Sequence, residues 1–314
     1  MSGCSNCLNT RIFQKKYGEV GKIGVVVVLF CPVLEELARI RKYVFAVAHT
    51  IIMDNSPQNN AELIARIIDC QDKYTYISHS ENVGLCKALN EGIMCLMKIG
   101  CKWACVFDAD SNFSPDIFNI YRKAMKEYEE RQIAIFAPVH TYDRKQRQAY
   151  DGYQEKKWAM TSGCAINIET FVNLGGFFET LFVDGLDMDY CFRAREKGHH
   201  IIECGAAIIK HCPAKTKKIT FFKKTFLYGY DVPARYFMQA RGLIWMIYRY
   251  KSAQSILMYL YKWLKVVFLF PDKKNYIKAM INGTKEGKKL YIAYRRGDYC
   301  AEGRSFNHSC GSDL

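Results

Sequence analysis

From Ile23 to Phe30 the chain is uninterruptedly apolar and rich in valine, too short to span a bilayer and of the kind that fills a strand covered on both faces. Leu34 to Val44 then carries apolar residues at helical spacing. Val47 to Met53 is apolar again before the turn-forming Asp54-Asn55-Ser56-Pro57. Strand, helix, strand and turn make a βαβ unit, and the alternation continues. A helix is predicted around Ala61 to Cys70, a strand over Tyr74 to Ser78, a helix over Leu85 to Ile99 and a strand over Trp103 to Phe107. Ser114, with Pro115 after it, reads as the N-cap of a helix running through Glu130.

Between Thr141 and Lys157 the sequence turns polar and loses its period, which predicts a long surface connection able to close over a substrate. Apolar segments resume at Met160 to Ile168 and at His199 to His211, with a short helical pattern from Leu186 to Lys197 between them. From Val232 onward the pattern predicts helices only. Ile256 to Phe270 is the most apolar of these, interrupted by Lys262 and Lys265, and its default reading is a packed core helix, with docking into a membrane interface as the alternative. The fold class is therefore α/β, a mostly parallel sheet with helices on both faces plus a C-terminal helical appendage. The expected divisions are a leader over 1–20, a catalytic domain over 21–212 and a helical region over 213–314.

Charge and cysteines refine this picture. The formal net charge of +14 points to an anionic partner, and the excess thickens after His211 and again from Lys273 to Arg296. A nucleic-acid-binding protein would suit the charge, but no such module is visible and the strand-end carboxylates would stay unexplained. Of 14 cysteines, Cys101, Cys105, Cys164, Cys191 and Cys204 sit in apolar runs and are expected as reduced, buried thiols. Cys4 and Cys7 form a Cys-x-x-Cys pair in the polar leader, without a second pair at zinc-finger spacing. The start lacks the order of a secretory signal, and no apolar run reaches the roughly 18 residues of a membrane span. A non-secreted chain at the cytoplasmic side, with peripheral contact to the membrane, is the expectation.

Carboxylates gather at the predicted strand ends, where open α/β sheets bind ligands. Asp108-Ala109-Asp110 closes one strand and suits a hard divalent cation shared with substrate phosphates, although surface turns often produce such triplets. Asp54 closes an earlier strand in the same manner, where an Asx-turn is the plain alternative. In Glu81 to Gly92 a glycine turn leads into a helix carrying Lys87, an arrangement able to meet phosphate. Asp187 and Asp189 lie about 200° apart on a helix and must do different jobs. Asp189 pairs naturally with Arg193 at i, i+4, leaving Asp187 to face the cleft as a general base. His211, at a strand end, is either structural or a ligand.

This ordered set resembles the family-2 glycosyltransferases, and within them the rhamnosyltransferase-like branch. The resemblance rests on Asp54-Asn55-Ser56, on Asn82-x-Gly84 through Gly92, on Phe107 to Ser111 and on Ser162-Gly163. It continues through Gly175-Gly176-Phe177, Phe182-Val183-Asp184, Asp187-x-Asp189, Cys191-x-Arg193 and Gly198 to His211, some three-fifths of the chain. It implies a GT-A fold and inverting transfer of one sugar from a nucleoside-diphosphate sugar to a glycan or lipid-diphosphate-linked acceptor in bacterial surface-polysaccharide synthesis. Asp54 would contact the base and Asp108 the ribose or metal, with Phe30, Asn82, Lys87 and Ala109 lining the donor site. Asp110 would hold magnesium or manganese, with His211 reaching the metal or diphosphate, and Asp187 would be the base.

Two departures stand out. Leu186 replaces the acidic residue that often precedes the base, and the Gln-x-x-Arg-Trp signature of processive synthases is absent. The segment Arg235-Tyr236-Phe237 through Arg241 resembles the Tyr- and Arg-rich helix of that branch. It would hold the acceptor near the bilayer, pack against the catalytic domain, or form a homo-oligomer interface. Two rival enzyme-fold readings are a non-catalytic nucleotide-sugar-binding subunit and a nucleotidyltransferase. The latter usually has a glycine-rich loop where Phe30-Cys31-Pro32 stands.

Overall fold

The structure is a computed structural model that describes residues 22–210, 214–221 and 224–298. The leader, His211 and the Cys4–Cys7 pair lie outside the described residues.

The valine-rich segment forms β1 (Ile23–Leu29). It lies at the middle of a sheet with β2 (Thr50–Asp54) and β3 (Tyr74–Ser78) on one side and β4 (Trp103–Asp108) on the other, all parallel. Beyond β4 come β8 (Ala165–Asn167), β6 (Ile133–Thr141), β9 (His200–Lys210) and β5 (Asn112–Phe113), with β7 (Tyr153–Glu155) also on β9. The long pairings are parallel; the antiparallel ones, made by β5, β7 and β8, run for two or three residues.

Every second residue of β1 enters a different core. Val25, Val27 and Leu29 pack with α1 (Leu34–Tyr43), α2 (Ala61–Ile67) and α4 (Ile117–Glu127), whereas Val26 packs with α3 (Leu85–Lys98), α5 (Ile168–Asn173) and α6 (Leu186–Glu196). Helices therefore cover both faces, as the unbroken apolar run requires. The five cysteines in apolar runs are buried free thiols.

Local departures have local causes. The Ser114 hydroxyl accepts from Asp116 N–H in a turn, so α4 starts at Ile117, after both Ser114 and Pro115. The polar stretch after Thr141 does cross the surface, but β7 within it adds an antiparallel strand to β9. After residue 213 the chain first makes a hairpin, β10 (Lys215–Phe221) against β11 (Lys224–Tyr230), before the helices begin.

The C-terminal helices are α7 (Pro233–Tyr250), α8 (Ala253–Leu269) and α9 (Lys273–Arg296). The strongest tie to the sheet domain is Asp189, 1% exposed on α6. Its carboxylate accepts from Arg193 Nε at 2.9 Å, Trp245 Nε1 at 2.8 Å and Tyr250 OH at 2.8 Å. Arg193 in turn donates to the carbonyls of Leu174 and Gly176. Beside this network α7 crosses the start of α6 at a glycine pair: Gly185 has φ +95°, and a Cβ on Gly242 would strike the Asp184 carbonyl.

The default expectation for α8 does not hold. Its Leu257 and Phe268 are 68% and 72% exposed, and Leu260 and Leu264 are also exposed, whereas Lys265 is buried. Its apolar stripe faces outward because the packed side is the one that carries Ser255, Lys262, Lys265 and Val266.

Trp245→Phe removes one donor from a buried charge and is expected to lower stability by about 1.5–3 kcal/mol in urea denaturation, a loss absent if Asp189 were not held by the indole. Gly242→Ala is expected to cost about 1–3 kcal/mol by forcing α7 off the Asp184 backbone.

Candidate functional site

Strand register brings the first carboxylates together. Leu29 of β1 is opposite Asp54, and Val28 is opposite Asp108, so both acids stand at the same edge of the sheet. The loop after β4 is firmly anchored. Ser162 Oγ accepts from Asp108 N–H at 3.2 Å and shares a 2.8 Å hydrogen bond with Ser111 Oγ, while Arg39 Nε donates to the Ala109 carbonyl at 3.3 Å.

A cavity of about 550 Å³ opens beneath this edge. Asp108, Asp110 and Asp187 line it together, with Trp158 and Thr161 from the segment just after the polar connection and Arg235, Gln239 and Lys262 from α7 and α8. Asp110 is exposed and Asp108 half-buried. Asp187, in the first turn of α6, accepts from Thr161 Oγ1 at 2.9 Å. Burial pushes its carboxyl up to about 6; the Thr161 hydrogen bond opposes this, and the charges of Asp108 and Asp184 add to it. A carboxylate held there is ionised at neutral pH yet remains a usable proton acceptor. Asp184 gives one oxygen to Arg235 Nη2 at 3.3 Å, while Oδ2 is buried without a hydrogen-bond partner, and burial raises its carboxyl above the usual range.

The other expected donor-site residues do not line the cavity. Asp54 is fully buried and accepts from Ser56 N–H at 2.9 Å, Asn60 Nδ2 at 2.8 Å and Tyr76 OH at 2.8 Å, which includes the Asx-turn bond expected of a structural aspartate. Asn82 caps the Gly84 N–H, and Lys87 lies 3.9 Å from Glu91. Phe30 is exposed just past β1. Asn55 joins these loops: it donates to the Gly84 carbonyl, and its oxygen meets His79, whose other nitrogen meets Glu91 at 2.6 Å. Asp189 and Arg193 pair with each other away from the cavity.

Among the described residues no three His, Cys, Asp or Glu side chains converge as a ligand set. Two carboxylates on one cavity wall do match the donor set of a magnesium-like ion whose remaining ligands are phosphate oxygens. Sequence reasoning missed Thr161, Asp184, Gln239 and Lys262 as cavity residues. The signal for Lys262 is a lysine interrupting an apolar helix, a pattern that suits a core helix or one lying in a membrane interface, and Asp184 stands in the Phe182-Val183-Asp184 motif of the family resemblance.

Comparison with known proteins bears on the same segment. Residues 32–183 match the family described as Glycosyl transferase family 2. The dTDP-rhamnosyl transferase RfbF of Shigella flexneri is 26% identical over 196 residues, 56% of this chain, and the chain spans 64% of the length of that curated relative. The crystal structure of S. aureus TarS residues 1–349 in complex with UDP-GlcNAc aligns with a TM-score of 0.49 at 11% identity, covering 88% of this chain and 93% of that one. The match to family-2 glycosyltransferases thus runs from just past β1 to the turn before Asp184.

Proposed function

We propose that the chain transfers a single sugar, with inversion, from a nucleoside-diphosphate donor to a hydroxyl of a glycan or lipid-linked acceptor in bacterial surface-polysaccharide synthesis. The observation that carries this reading is Asp187, its carboxyl raised to about 6, in one cavity with Asp108 and Asp110. The family match supports a nucleotide-sugar donor, and the printed activity of RfbF supports dTDP-rhamnose as the first donor to test, ahead of UDP-sugars.

In this reading Asp187 takes the proton of the acceptor hydroxyl as its oxygen bonds to the anomeric carbon, and the bond from that carbon to the diphosphate breaks. Thr161 orients the carboxylate through its 2.9 Å hydrogen bond. Asp110, with Asp108 beside it, would hold magnesium or manganese, whose chemistry is to neutralise the charge growing on the leaving diphosphate. Trp158 and residues of α7 and α8 line the same cavity as Asp187.

The exposed stripe Leu257, Leu260, Leu264 and Phe268, on a chain with a net charge of +14, supports peripheral contact with an anionic membrane. Among the described residues no helix is long and apolar enough to cross a membrane.

Three outcomes are expected. With manganese, dTDP-rhamnose or a UDP-sugar should raise the melting temperature and be slowly hydrolysed. Asp110→Ala should lose both effects, while Asp187→Asn keeps binding and loses at least 100-fold in turnover. A folded protein that binds no nucleotide sugar would falsify the reading.

The second outcome concerns pH. Because the folded-state pKa of Asp187 lies above its unfolded value, its stabilising contribution is complete below about pH 4 and lost as pH rises through about 6. Activity should therefore rise through pH 6 as Asp187 ionises. At pH 7.5 Asp187→Asn should be more stable than wild type by roughly 1–3 kcal/mol, a gain that vanishes at pH 4. The third is that vesicles with anionic phospholipid should co-sediment the protein, and Leu260→Glu with Leu264→Glu should weaken this at least tenfold. If the double variant instead converts a dimer to a monomer, the stripe is a subunit interface.

A further inference from the structure

The turn that leads into Asp184 is held in an uncommon conformation. Phe182 has φ +64° and ψ −60°, and Val183 N–H donates to the Leu181 carbonyl at 2.7 Å. This is a γ-turn of the rarer, strained kind, which persists only where its surroundings hold it. The start of α3 does so. Cys86 N–H lies in the first turn of that helix and has no carbonyl of its own helix to meet; it donates instead to the Phe182 carbonyl at 3.1 Å, and the Phe182 ring lies against Gly84. Leu85 of α3 and Val183 and Asp184 of the turn line the same cavity as Asp187.

Three side chains in series reach the start of α3 from the sheet. Asn55, 3% exposed just past β2, donates Nδ2–H to the Gly84 carbonyl at 3.3 Å, so its oxygen is the atom that meets His79 Nδ1 at 2.9 Å. An amide oxygen only accepts, and Nδ1 must therefore carry a hydrogen. Nε2 of the same ring stands 2.6 Å from Glu91 Oε2. A bare ring nitrogen and a carboxylate oxygen are both acceptors, so this contact needs a proton between them, on whichever atom it rests. The charged groups about the ring are Glu91 and, 3.9 Å from it, the exposed Lys87, both from α3, with Asp54 from β2. The Asp54 carboxylate is turned to Ser56, Asn60 and Tyr76, and its carbonyl accepts His79 N–H at 2.9 Å.

We propose that His79 is a positioning residue: the proton it shares with Glu91 locks the start of α3 and, through it, the turn that carries Asp184 into the cavity. With that proton in place both ring nitrogens are satisfied. His79 orients Asn55, Asn55 holds Gly84, and Cys86 holds Phe182. When the proton leaves to solvent, the imidazole keeps one hydrogen for two acceptors. The bond to the Glu91 carboxylate is charge-assisted and the stronger of the two, so the ring keeps it and turns a bare Nδ1 toward the Asn55 oxygen. Asn55 then loses the partner that orients its amide, and the hold on Gly84 and Phe182 loosens. The lock follows from the hydrogen-bond geometry alone; its effect on turnover rests on the glycosyl-transfer reading.

The test is amide hydrogen exchange on the full-length protein, read at Cys86 as protection relative to the intrinsic rate, which removes the ordinary pH dependence of exchange, with Val26 of β1 as reference. As pH is raised within the folded range, Cys86 protection should fall at least tenfold in wild type while Val26 keeps its own. His79→Phe should show the low value at every pH. Glu91→Gln should keep the high value throughout, because its amide donates to Nε2 and leaves Nδ1–H on Asn55. Cys86 protection that ignores pH in wild type, or falls equally in Glu91→Gln, overturns the proposal, and Glu91→Gln decides the matter if His79→Phe does not fold. On the same proteins, hydrolysis of dTDP-rhamnose in magnesium should fall at high pH at least fivefold more in wild type than in Glu91→Gln, and an equal fall overturns the positioning role. A donor that fails to bind while Cys86 behaves as expected sinks the transfer reading and leaves the lock.

Discussion

A carboxylate with no access to water must find its donors within the protein, and Asp189 finds them on two helices from different parts of the chain. Arg193 comes from its own helix, and Trp245 and Tyr250 come from α7. A buried anion with three charge-assisted hydrogen bonds tolerates little displacement, since any lost donor leaves charge uncompensated. This fixes the rotation of α6 about its axis. With Asp189 turned into the interface, Asp187 two residues earlier turns into the cavity, and α7 is held where Arg235 and Gln239 complete the cavity wall.

The site is consequently shared between two kinds of structure. The end of β4 and the loop after it, pinned by short contacts such as Ser162 to Asp108 and Ser111, carry Asp108 and Asp110. Helices that follow the family-matching segment carry the cations. Acids and cations line one and the same cavity. Asp184 belongs to both halves through its field, with one oxygen on Arg235 and the other unpaired.

Much of this was legible in the sequence because period and strand-end position are local signals. The apolar run of β1, the βα alternation and the 200° argument separating Asp187 from Asp189 all describe the observed arrangement. What was not legible depends on contacts across the chain. The strand-end position of Asp54 gives no sign of its contacts with Asn60 and Tyr76. The hairpin at Lys215–Tyr230 has no clean apolar alternation to announce it, since lysines fall on both of its faces. The period of α8 is correct for an amphipathic helix, but period alone gives no sign of which side is inward. The lysines settle that only once Gln239 and Gly229 are in place to receive them.

The glycine contact between Gly185 and Gly242 also bears on how the molecule comes into being on the ribosome. The sheet is complete by Lys210, but Leu181, Leu186 and Tyr190 share their core with Trp245, Met246 and Leu290. Until those later residues emerge, the nascent sheet domain holds an exposed apolar face and a buried-to-be carboxylate without its indole donor. Vectorial synthesis therefore delivers a half-finished sheet domain, and the last helices act as a closing segment for it.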